Sequence, residues 1–93
     1  MALKLISRQL MLVTPQLAQA WLNDNAHNRT MNEERITELC RKIEAGEWNE
    51  KGNPIEVTDT GHLINGQHRL TAIVRTSIAV KMRILLYKKV HFF

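Results

Sequence analysis

The run Leu63-Ile64-Asn65-Gly66-Gln67-His68-Arg69-Leu70-Thr71-Ala72 decides how this chain folds. His62 to Asn65 has the character of a strand, Gly66 breaks the pattern, and Leu70, Ile73 and Val74 then recur at helical spacing up to Thr76-Ser77. A strand that passes directly into a helix leaves the first backbone N–H groups of that helix unpaired and pointing outward, which makes the turn an anion site. His68 and Arg69 fall in or beside the first turn, where a cation opposes the helix dipole at a cost of ~0.3–1 kcal/mol. A bound anion reverses that sign, and Arg69 can supply it with a planar, bidentate, charge-assisted contact. On spacing alone a second assignment is equally open, in which Arg69 pairs with a carboxylate of the protein and His68 is solvated.

Upstream of this turn, Pro54-Ile55-Glu56-Val57-Thr58 reads as a strand and Asp59-Thr60-Gly61 as a turn, so that residues 54 to 65 form a hairpin. Asn32 is a good helix cap, Glu33 and Glu34 complement a positive helix end, and Ile36, Leu39, Cys40 and Ile43 repeat at helical spacing before Gly46 stops the run. That face is expected to bury Cys40 as a small hydrophobe. Leu3 to Val13 is extended and ends at Thr14-Pro15, where a short helix carrying Leu17, Ala18, Trp21 and Leu22 begins and runs to Asn23-Asp24-Asn25. Trp21 and Trp48 are expected to plug the core. Downstream, Val80, Met82, Ile84 and Leu86 alternate with Lys81, Arg83, Leu85 and Tyr87 as a strand with one strongly apolar face.

With 93 residues, 44% hydrophobic and 24% charged, the chain suits one packed unit and not a disordered one. The expected fold is a single α+β domain over residues 1–93, a mixed sheet with three helices packed on it. One cysteine excludes an internal disulfide framework, and no long uncharged apolar run or export signal is present, so a cytoplasmic location is expected and no membrane association. The net charge of +4 favours an anionic partner, although the cations are scattered. His27, His62, His68, His91 and Cys40 show no metal-ligand spacing, and no metal site is assigned.

The order of these elements resembles the ParB/sulfiredoxin superfamily. Gly66, Arg69 and Ala72 match the Gly-Glu-Arg-Arg-x-x-Ala pattern of ParB proteins, and Gly66, His68 and Arg69 match the Gly-Cys-His-Arg of sulfiredoxins. Asn28-Arg29 is similar to the Asn-Pro-Arg box and Pro54-Ile55-Glu56-Val57 to the Pro-Ile-x-Val strand, so the resemblance spans Thr14 to Leu86. The wording is closest to small ParB-like, nuclease-type domain proteins of phages and prophages. The resemblance implies a nucleotide-binding turn and places Asn28 and Arg29 beside it. Gln67 stands where sulfiredoxins carry cysteine, so their reductase chemistry is not expected, and where ParB carries glutamate, so magnesium-dependent hydrolysis of that type is left in doubt.

The sequence therefore predicts a binding domain in which Gly66, Gln67, His68 and Arg69, with Asn28 and Arg29, hold a nucleotide phosphate or a nucleic-acid backbone. The cofactor would be a nucleoside triphosphate with magnesium. Nucleic-acid binding would be weak and insensitive to sequence, because no recognition element is visible. Two alternatives stay open: an interaction protein whose pocket is vestigial and which docks as an inhibitor or adaptor on a host or phage protein, and a metal-dependent nuclease or phosphotransfer enzyme using Glu56 and Asp59.

Overall fold

The computed structural model describes residues 2–23, 31–49 and 52–90. In chain order its elements are β1 (Ala2–Val13), α1 (Pro15–Asn23), α2 (Glu33–Glu44), β2 (Ile55–Thr58), β3 (Leu63–Asn65), α3 (Gln67–Thr76) and β4 (Val80–Val90). The strands form one sheet in the order β1-β4-β2-β3. β1 runs antiparallel to β4, β2 parallel to β4 and β3 antiparallel to β2, so the sheet is mixed and the architecture is α+β.

Local chemistry sets the helix ends. Thr14 caps α1 by accepting the N–H of Leu17 on its Oγ1 at 3.1 Å, and Pro15 occupies the first helical position, where its missing donor costs nothing. Asn32 caps α2 in the same way, its Oδ1 accepting the N–H of Arg35 at 3.1 Å, with Glu33 and Glu34 against the positive end. α3 starts at Gly66 and ends at Ser77, which takes up the left-handed conformation.

The strands bury one side under the helices. In β4, Val80, Met82 and Ile84 are buried and Lys81 and Arg83 exposed, the period of two expected of a strand covered on one face. Ile55 and Val57 of β2, Leu63 of β3, Val13 of β1, Ala18 of α1, Ile43 of α2 and Leu70, Ala72 and Ile73 of α3 complete the core. Trp21 and Trp48 pack against its margin, half-buried. Cys40 is a correction to the sequence reading. It is half-buried rather than fully buried: it packs against the core from the face of Ile36 and Ile43, at the seam between α2 and α3, with Sγ 3.9 Å from the carbonyl oxygen of Ala72.

β1 is at the sheet edge, and a bulge between Leu5 and Ser7 shifts its register against β4. Val13 and Met11 follow β4 into the core, while Leu10 and Leu12 lie opposite Arg83 and Lys81 on the other face. Among the described residues no helix is long and apolar enough to cross a membrane.

Candidate functional site

Gly66 joins β3 to α3 in a conformation that side chains rarely adopt, φ 124°. A Cβ there would also drive into Ile55 Cδ1 and sit 3.3 Å from Ile55 Cγ2, and Ile55 is fully buried. Both constraints require glycine. Gly66 offers no side-chain cap, and the first turn of α3 carries no acid. The first N–H bonded back along the helix is that of Leu70, to the carbonyl of Gly66 at 3.0 Å. Gln67, His68 and Arg69, which precede it in the helix, line a cleft of about 390 Å³.

The cleft is lined by Gly66, Gln67, His68 and Arg69, by Arg35 of α2, by residues 62–65 and by Leu3 at the far end of β1. No carboxylate is among these lining residues. His68 is fixed by a long-range bond, its Nε2 accepting the N–H of Asn32 at 3.0 Å. With Nε2 accepting this bond, Nδ1 is the ring nitrogen left to donate. Because Asn32 is also the cap of α2, this bond draws the N-terminal ends of α2 and α3 together at the cleft.

Among the described residues Arg69 pairs with no carboxylate. Its guanidinium donates to the backbone carbonyls of Asn53 and Pro54, the latter at 3.2 Å, and so ties the start of β2 to α3. Burial, and after it the nearby charge of Arg35, push the Arg69 guanidinium down from its ordinary value, while Glu56 acts in the opposite sense. Two guanidinium groups thus share one cleft. Arg35 is exposed, and among the described residues no carboxylate pairs with it. Like charges held together in this way are relieved by an anion between them.

Of the six residues that the sequence singled out, the structure brings Gly66, Gln67, His68 and Arg69 to one cleft. Asn28 and Arg29 lie outside the described residues. Arg35 and Asn32 were missed. A signal for Arg35 was present: it is the third residue of α2, as Arg69 is of α3, and a cation in a first helical turn is out of place unless an anion or acceptor answers it. Glu56, weighed as a metal ligand, is engaged by Asn65 Nδ2 at 3.4 Å and by the Tyr87 hydroxyl, whose pKa it raises. Among the described residues no group of three metal-ligating side chains occurs.

No family model, curated protein or solved structure matches the chain.

Proposed function

We propose that the cleft at the start of α3 binds the phosphate of a nucleotide or of a nucleic-acid backbone, as the resemblance to ParB-like domains implies. One observation carries this reading: uncapped helix donors and two arginines at third helical positions converge on a cleft with no carboxylate in its lining. Backbone N–H groups and guanidinium together recognise phosphate oxygens at short range. The roles differ between the arginines. Arg69, held by Asn53 and Pro54, supplies fixed positive charge, whereas Arg35 is the one able to swing onto the ligand. His68 holds the two helix starts in place and can donate through Nδ1. A magnesium nucleoside triphosphate in a cytosolic setting is the preferred ligand. The reading is of a binding domain, resting on the phosphate-recognising groups of the cleft.

The test is calorimetric titration of the full chain with inorganic tripolyphosphate, nucleoside triphosphates and short single-stranded DNA, with and without magnesium. Arg35→Ala is expected to weaken binding about tenfold, the usual worth of a hydrogen bond to a charged group, with no change in melting temperature. Absence of any phosphate-bearing ligand at millimolar concentration, or binding indifferent to Arg35, would overturn the reading.

A further inference from the structure

The charge of this molecule is concentrated on two strands. β1 and β4 carry Lys4, Arg8, Lys81, Arg83, Lys88 and Lys89 and not one carboxylate. All nine carboxylates of the chain lie elsewhere, against the seven remaining cations, so the whole net positive charge belongs to this ribbon. Lys4, Arg8, Lys81, Lys88 and Lys89 are exposed, and among the described residues none of them is in an ion pair. Beside them on β1 stand large apolar side chains in water: Ile6 at 46% exposure, Leu10 at 52% and Leu12 at 53%. β1 is also an edge strand, paired only with β4, so its outer backbone donors and acceptors face away from the sheet along twelve residues. Natural proteins shorten, bend or cover such edges.

From these observations we infer that β1 is the docking edge for an extended, acidic segment of a partner protein, which adds to the sheet as a fifth strand. Backbone hydrogen bonds along β1 supply affinity in this mode and alternate side chains supply specificity. Apolar residues of the added strand cover Leu10 and Leu12, and its carboxylates meet Lys4 and Arg8 directly and the β4 cations one strand further in. Other occupants satisfy only part of this surface. A second copy paired through β1 would bring Lys4 and Arg8 no carboxylate, since β1 carries none. A phosphate backbone would use the cations and leave the leucines wet. A lipid surface would take the leucines and the cations but offers no strand to pair the edge. The inference stands on β1 and β4 and is independent of the phosphate reading of the cleft.

The experiment titrates the full chain with a labelled peptide matched in length to β1, carrying Val along the half that faces Leu10 and Leu12 and Glu along the half that faces Lys4 and Arg8, and follows both anisotropy and amide hydrogen exchange. The peptide is expected to bind and to slow exchange within β1. A Lys-Val peptide of the same length, and a Glu-Val peptide methylated at its backbone nitrogens, should each bind about tenfold more weakly or worse, because one inverts the charge and the other removes strand pairing. Leu10→Asp with Leu12→Asp should weaken the Glu-Val complex by a similar factor while leaving the thermal melt unchanged, since both side chains are exposed. Equal binding of the methylated peptide would overturn strand addition. Protection of β1 by duplex DNA or by phosphatidylserine vesicles but not by the peptide would overturn the partner class, and concentration-dependent protection without any addition would assign the edge to a second copy instead.

Discussion

β4 has two neighbours, and they use the same kind of sequence in opposite ways. Beside β2, a strand of four residues, everything that turns toward the helices is buried and the adjoining Gly66 turn tolerates no extra atom. Beside β1, a strand of twelve residues, Leu10 and Leu12 stand about half in water and a bulge is accommodated at Leu5 and Ser7. Both neighbours draw their apolar residues from the same aliphatic kinds. What separates them is position: β2 is flanked by strands on both sides, whereas β1 is an edge. Burial is a property of the place a strand takes in the sheet as much as of its residues, and the two regions should therefore respond very differently to substitution.

The largest effect is expected at Gly66. Gly66→Ala adds a Cβ against the fully buried Ile55 and confines an alanine to φ 124°, a combination of overpacking and backbone strain that should destabilise the fold by about 3 kcal/mol. Chemical denaturation measures it, and the two causes can be separated. Ile55→Val removes the Cδ1 atom that the new Cβ meets, so Gly66→Ala should cost less in the Ile55→Val background, the remainder being the backbone term. On the other side of the comparison, Leu10→Ser should change stability by no more than about 0.5 kcal/mol. If Leu10→Ser proved as costly as Gly66→Ala, β1 would have to be covered in solution and the contrast would fail.

Next in size is Arg69→Ala. Two backbone carbonyls, of Asn53 and Pro54, lose a charged donor, and a loss of about 1.5–3 kcal/mol is expected. Arg69→Lys should recover only a part, because a single ammonium cannot reach both acceptors in the planar fork geometry. The sharpening comes from pairing this variant with Arg35→Ala, for which the stability should hold while tripolyphosphate affinity falls. A molecule in which both arginines behaved alike would have no division between brace and ligand contact.

Much of this was legible in the residues. Gly66 announced the strand-to-helix turn because no other residue breaks one period and starts the other so cheaply. Asn32, Glu33 and Glu34 announced α2, and the alternation from Val80 announced β4. The rest depended on contacts between distant positions. His68 meets Asn32 across 36 positions and Arg69 meets Asn53 across 16, and no local spacing encodes either. Arg35 is one of three cations along α2, and only the placement of α3 beside it brings it to the cleft. The apolar character of β1 read as an ordinary strand, and only the order β1-β4-β2-β3 shows that its leucines lie at an edge.

The smallest effect belongs to the ion pair that ties the start of α2 to the end of α3. Arg75 at the end of α3 donates to both carboxylate oxygens of Glu33, at 2.6 and 3.0 Å, and these bonds hold the Glu33 carboxyl below its ordinary range. A carboxyl that releases its proton more readily in the folded chain than in the unfolded one stabilises the fold above the unfolded value, and that contribution is lost as pH falls through the folded one. Both partners are largely exposed, so solvent and salt screen the pair and the effect should be slight. Glu33→Gln is therefore expected to lower the melting temperature marginally at neutral pH. The gap between variant and parent should close as the solution is acidified through the carboxylate range, and should narrow in high salt at any pH. Glu38, held low by Arg41, titrates in both proteins and cancels from the difference. A gap that persisted in acid would mean that Glu33 acts through its place in the first turn of α2 and not through Arg75. That outcome would leave the His68 bond to Asn32 as the principal polar tie between the two helices that frame the cleft.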